Sequence, residues 1–150
     1  MKIAIGSDHA GFKLKCEITR DLQNDGYDVI DCGTYSEESV DYPDFAEKVA
    51  EQVLQNDARG VLIWGTGIGI SIAANKIPGI RAALCQNSYV ARLAREHNDA
   101  NIVAVGARIT GPGLAVEIIR TFLNSEFEGG RHLKRLKKII NIENKHQERS

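Results

Sequence analysis

Cysteine is scarce in this chain, an excess of positive charge is missing, and no long apolar run occurs. Each shortage closes off a class of protein. The three cysteines (Cys16, Cys32, Cys85) are odd in number and lack metal-ligand spacing. Neither a disulfide framework nor a structural metal site is therefore expected, and the thiols are read as reduced. No uninterrupted apolar stretch approaches the ~20 residues needed to cross a bilayer. The opening MKIAIGSDHAGF carries one lysine and a four-residue apolar stretch, which does not read as a signal peptide. Nineteen Lys and Arg stand against 20 Asp and Glu, a net charge of -1. A chain built to coat nucleic acid or an anionic membrane needs a large basic excess, so neither partner is expected. There is no repeat, low-complexity segment or linker. A cytoplasmic protein is expected, with 1–150 forming one domain large enough to bury a core without metal or disulfide staples.

The near-neutral average conceals an asymmetry. Residues 131–150 hold seven basic and two acidic residues, a net of +5, which leaves -6 for the first 130. The basic end reads either as a solvated helix face or as charge offered to an anionic group.

Short Ile- and Val-rich runs alternate with longer amphipathic segments. Strands are expected at Lys2–Ile5, Asp28–Asp31, Gly60–Trp64, Ile80–Leu84 and Asn101–Val105. Helices are expected at about Phe12–Asn24, Asp44–Gln55, Ile70–Asn75, Ser88–Glu96, Gly113–Asn124 and Arg131–Asn144. Strands alternating with helices imply parallel pairing through right-handed crossovers. Runs such as VLIW and IVAV lack polar alternation, as strands covered on both faces do. The expected architecture is an α/β, Rossmann-like three-layer sandwich with a five-stranded parallel sheet and a C-terminal helical arm at about 126–150. Ligands of such sheets bind beyond the carboxyl ends of the strands, where strand order reverses.

The strongest local signal is Gly65-Thr66-Gly67-Ile68-Gly69-Ile70-Ser71, after a buried strand and opening a helix. Alternate glycines allow close backbone approach, and helix-opening N–H groups favour negative charge. A merely tight turn is the plainer alternative. No Gly-Lys-Ser/Thr follows, so this is not a P-loop, and the spacing fails the dinucleotide fingerprint, which disfavours a nicotinamide dehydrogenase. Asp8 and His9 lie just past the first strand, and His97 and Asn98 follow the fourth helix, close to the fifth strand. Histidine moves protons near neutral pH, and Asp or Asn can orient it or hold hydroxyls. Arg108 lies past the fifth strand. Arg131 and Arg135, at i and i+4, share a helix face with His132 beside them. Guanidinium forks suit a phosphate dianion, although a salt-bridged surface helix would explain the pair equally well.

Across nearly its whole length the sequence resembles the type B ribose-5-phosphate isomerases, a family that also contains the galactose-6-phosphate isomerase subunits. The segments that carry the resemblance are Gly6–Phe12, Asp41-Tyr42-Pro43, Gly65–Lys76, His97–Asn101 and Glu128–His132. The resemblance implies interconversion of ribose 5-phosphate and ribulose 5-phosphate through a cis-enediol, with no metal or organic cofactor. It implies that His97 helps to open the furanose ring, with Thr66 and Asp8 positioning sugar oxygens. The Gly65, Gly67, Ile68 and Gly69 backbone would hold the enediolate oxygen with Asn98 assisting. His9, Tyr42, Arg108, Arg131, His132 and Arg135 would bind substrate. It further implies a homodimer or tetramer whose arm supplies Arg131, His132 and Arg135 in trans.

One position departs from the pattern. Many members carry a cysteine base immediately before the Gly-Thr-Gly loop, where this chain has Trp64. Another branch uses a glutamate at the position of Ile70. An indole N–H only donates. Asp8, His97 and Cys85 are the candidate replacements, while Cys16 and Cys32 read as small buried hydrophobes. Three outcomes are open: another base, a weak isomerase or one with a shifted substrate preference because Trp64 narrows the pocket, or a phosphosugar-binding module without catalysis.

Overall fold

In the computed structural model, which describes residues 1–147, five parallel strands form one sheet in the order β2-β1-β3-β5-β4. The strands are β1 (Lys2–Ser7), β2 (Asp28–Asp31), β3 (Arg59–Trp64), β4 (Ala82–Leu84) and β5 (Ile102–Gly106). The helices are α1 (Phe12–Asn24), α2 (Tyr42–Asn56), α3 (Ile68–Ala74), α4 (Ser88–Glu96), α5 (Pro112–Asn124) and α6 (Arg131–Gln147). The last three positions of the arm expected over 126–150 lie outside the described residues. Among the described residues no helix is long and apolar enough to cross a membrane.

The unbroken apolar runs are explained by burial on both faces. Ile3, Ile5, Val61, Ile63, Val103 and Val105 point to one side and pack on α1, α4 and α5. Their neighbours Ala4, Leu62 and Ala104 point to the other and pack on α2 and α3. Alternate residues of one strand thus serve opposite layers. The chain leaves β1 toward β2 on one side and later adds β3 on the other, so the order reverses between β1 and β3. Ile5 there pairs with Val61, and further along Trp64 pairs with Gly106.

Element boundaries moved where side chains intervene. Helix α2 starts at Tyr42, two residues early, because Pro43 sits in its first turn, where no N–H is needed. Helix α3 starts at Ile68, since Gly67 at φ 82° makes the left-handed turn that launches it. Strand β4 keeps only three residues. A short 3-10 turn, His9–Gly11, precedes α1 and is capped by the Asp8 carboxylate. Cys16 is a correction: it faces solvent on the outer side of α1, whereas Cys32 is buried as expected, and Cys85, a candidate base, is buried too.

Candidate active site

Beyond the carboxyl ends of β1, β3 and β5 lies a cleft of about 600 Å³ lined by Asp8, His9, Tyr42, Trp64 and Arg108, with Asp41 and Asp44 at its side. Asp8 is 2% exposed. Its Oδ1 accepts N–H bonds from Ala10 (3.0 Å) and Gly11 (3.3 Å), which lock the carboxylate in place. Oδ2 stands 3.7 Å from His9 Nδ1, but that nitrogen accepts the Val40 N–H at 3.2 Å. An accepting Nδ1 carries no proton, so the donor of the His9 ring is Nε2. The loop carrying Val40 and Asp41, just before α2, therefore orients His9, a role with no local signature in the sequence.

The glycine loop forms the cleft's neighbour. A Cβ on Gly67 would sit 2.6 Å from Leu84 Cδ1 and 3.0 Å from the Val105 carbonyl carbon. On Gly69 it would meet Tyr42 at 2.8 Å and Trp64 at 2.9 Å. The Trp64 and Tyr42 rings pack with centroids 4.4 Å apart, so the half-buried indole both packs on the core and narrows the cleft. Thr66 Oγ1 accepts the Ile68 N–H at 3.3 Å, and the first helical bond of α3 runs from Ser71 to Gly67. The Gly69 and Ile70 N–H groups are left without intrahelical acceptors. Arg108 is fastened by its backbone N–H to the Gly65 carbonyl at 2.9 Å, which lays its side chain over Gly65.

His97 and Asn98 are elsewhere. They follow α4 and precede β5, so they lie at the amino end of the sheet, opposite the cleft. The length of β5 alone separates the two ends, about 13 Å at 3.3 Å per residue. The four residues Asp8, His9, His97 and Asn98 therefore do not share one mouth within a chain. The order helix, loop, strand carried the signal, because in a parallel sheet such a loop always sits at the amino end. The loop is rigidly held. Buried Arg95 donates to Asp99 Oδ1 (2.8 Å) and the Ala100 carbonyl (2.6 Å). Arg81 donates to the Asn98 and Asp99 carbonyls at 3.0 and 2.8 Å.

The arm joins this lower cluster. The Glu128 N–H donates to the Glu96 carbonyl at 3.0 Å, and α6 then crosses the β4 edge until Glu143 accepts the Gly79 N–H at 3.2 Å. Asn98 borders a cavity of about 420 Å³ between α6 and β4, with Arg81, Ile139 and Glu143. His132 stacks on His97 with centroids 4.1 Å apart and 13° between planes. Burial lowers the His132 pKa below the usual imidazole value, and His97 and Arg131 add to the shift. Arg131, Lys134, Arg135 and Lys138 line a basic surface hollow. Among the described residues none of the four makes an ion pair, which removes the salt-bridged-helix explanation. Lys134 and Lys138 were not singled out in the sequence, although their i+4 spacing on the same helix was visible.

His97, Glu128 and His132 each place one potential ligand atom within 4.8 Å of the others. An imidazole binds a metal in its own ring plane, and two nearly parallel stacked planes share no such point. The arrangement is a ring stack. Cys85 is eliminated as a base: it is wholly buried in the α1–α5 layer, and desolvation pushes its thiol up to about 11. Ile70, at the other alternative position, is fully buried.

Known proteins resemble this chain in both sequence and fold over nearly its whole length. The ribose/galactose isomerase family matches residues 3–139. Ribose-5-phosphate isomerase B of Escherichia coli strain K12 is 50% identical over 143 residues, covering 95% of this chain and 96% of that protein. The solved ribose-5-phosphate isomerase B of Clostridium thermocellum superposes with a TM-score of 0.95 at 60% identity, covering 97% of this chain and 99% of that one. The Thermotoga maritima ribose 5-phosphate isomerase gives 0.91 at 55%, covering 93% and 97%.

Proposed function

The chain belongs to the ribose/galactose isomerase family, and from that premise we propose that it interconverts ribose 5-phosphate and ribulose 5-phosphate as a cytoplasmic enzyme. The observation that carries the reading is the cleft at the switch point, where a fixed carboxylate and an oriented imidazole stand beside Tyr42 and Trp64, the side chains that pack on the glycine loop.

The furanose opens when a base takes the anomeric hydroxyl proton while the ring oxygen gains one. His97 performs the first task. A proton then leaves C2, the electrons form a cis-enediolate, and reprotonation at C1 leaves the carbonyl at C2. The C2 proton is too weakly acidic for an unaided base, so the enediolate oxygen needs donors in place beforehand. The Gly65–Gly69 backbone supplies them, and Asn98 assists. Trp64 accepts no proton, so C2-to-C1 transfer falls to a cleft carboxylate. Asp8 is the buried one, with Oδ1 immobilised and Oδ2 outside that cap. His9 and Arg108 bind substrate, and Arg131 and Arg135 take the phosphate through charge-assisted bonds.

Because His97, Asn98, Arg131 and Arg135 lie at the far end of the sheet from Asp8 and the glycine loop, one chain cannot close its own site. In this reading a second copy presents its lower cluster to the first copy's cleft, so a homodimer is the smallest active unit. Purified protein should isomerise ribose 5-phosphate in the presence of chelator and exchange deuterium at C2 in heavy water. Asp8→Asn, which keeps the turn-capping acceptor, should abolish exchange. Binding of ribose 5-phosphate without exchange by the natural chain would refute the reading in favour of a phosphosugar-binding module.

A further inference from the structure

We propose that His132 is a positioning residue for His97, the arm imidazole holding the ring-opening base in one orientation through the stack between them. The inference deepens the functional reading above and rests on its assignment of ring opening to His97.

The His97 side chain is half-buried, and among the described residues its ring makes no hydrogen bond and no ion pair. Among the described residues its one ring contact is the His132 ring at 4.1 Å and 13°, with the Glu128 carboxylate within 4.8 Å of a ring nitrogen. Among the described residues no hydrogen bond or ion pair fixes its side-chain torsions, yet a proton acceptor works only when its lone pair is aimed. His132 is well placed to aim it. Only two residues of α6 are buried, His132 and Leu136, so this ring is one of the two anchors of the arm. Anchoring alone would be served by an aliphatic residue such as Leu136. Its Nε2 is addressed from two sides, by Arg131 Nε at 3.5 Å and Glu128 Oε2 at 3.5 Å, and the backbone bond from Glu128 to Glu96 ties the arm to the end of α4.

Charge supports the same role. When His97 takes the anomeric proton it becomes a cation stacked on an aromatic face, a favourable contact provided that the second ring is neutral. Burial and the neighbouring Arg131 keep His132 neutral near pH 7. The arm therefore carries the phosphate-binding arginines and the device that aims the ring opener on the same helical turn.

The test exploits a difference between the two substrates. Ribose 5-phosphate must be opened, whereas ribulose 5-phosphate, its C5 oxygen blocked, is open-chain. His132→Ala should lower turnover of ribose 5-phosphate by about tenfold, short of the 10²–10⁴ of a lost acid–base group. Deuterium exchange into C1 of ribulose 5-phosphate should fall far less. His132→Phe should restore most of the turnover, since it keeps the stack. In the His97→Ala background, His132→Ala should cost nothing further, because the two act as one unit. Equal losses in both assays would reduce His132 to general structural support and overturn the proposal, as would a full additive loss. If His97→Ala leaves turnover of ribose 5-phosphate unchanged, the ring-opening assignment itself fails. The stack is then judged separately by the His97 ring-proton NMR signal. It should lose its ring-current shift in His132→Ala and keep it in His132→Phe, and a signal unmoved by Ala would remove the contact altogether.

Discussion

The cleft at the carboxyl end of the sheet and the cluster at its amino end are built on opposite plans. The cleft is acidic, with Asp8, Asp41 and Asp44 beside His9 and Arg108, and its groups are held by backbone N–H bonds and close glycine contacts. The lower cluster is basic, with Arg131, Lys134, Arg135 and Lys138 presented by one helix, and its key ring is held by another ring. A sugar phosphate needs both plans. Its hydroxyls and migrating proton call for fixed carboxylates and donors, and its dianion calls for unpaired guanidinium groups. Placed side by side in one chain, the two charge sets would neutralise each other as surface ion pairs. Separated by the depth of the sheet, each stays unpaired, as the proposed pairing of two copies requires.

The hardest blow to this comparison is complementation. His97→Ala and Asp8→Asn should each lower turnover by roughly 10²-fold or more. Mixing the two after dissociation and reassembly should return about a quarter of wild-type activity, because half the dimers then hold one intact site. A mixture as inactive as its parents would place both residues in the same site of one chain. Next in size is Arg135→Ala, which should raise the KM for ribose 5-phosphate by about tenfold with little change in kcat, a loss typical of a charged hydrogen bond. Steady-state kinetics with an unaltered KM would detach the basic hollow from the phosphate. Trp64→Cys sharpens the account of the cleft. If Asp8 carries the proton, the substitution leaves turnover within a few-fold, and the loss of the Tyr42 stack lowers stability by about 1–3 kcal/mol. A large gain in rate would mean that the natural chain lacks its base.

The smallest effect is a pH dependence of stability at the lower cluster. The His132 pKa is lowered from 6.5 in the folded chain, chiefly by desolvation, then by His97 and Arg131, with Glu128 opposing and Arg135 adding slightly. The unfolded chain therefore binds the proton more readily, and stability rises with pH across that window. The contribution is complete above about 6.5 and is lost as the pH falls toward the lowered value. Thermal unfolding from pH 7.5 to 5 should show a decline in Tm that His132→Phe makes shallower. An identical slope in the variant would assign the decline to other groups.

Much of the cleft was legible before the fold was known. Asp8, His9, Gly65–Gly69 and Arg108 follow strands, and loops after parallel strands share one end of the sheet. The lower cluster was legible in its residues but not in its place. A loop histidine looks the same in the alphabet whichever end it occupies, and only the order helix, loop, strand in a parallel sheet assigns His97 to the amino end. The contact of His97 with His132, 35 positions apart, and the packing of Trp64 on Tyr42 have no local pattern at all. They arise where unrelated elements meet.

The sequence by itself determined the alternation of elements, the two buried layers and the sites where glycine is obligatory, because periodicity, φ and burial are local demands on each residue. The tertiary structure alone decided that Cys85 is walled off, that Trp64 fills the space over Gly69, and that the acidic and basic halves face away from each other. Those facts depend on distances between segments, which no spacing along the chain encodes.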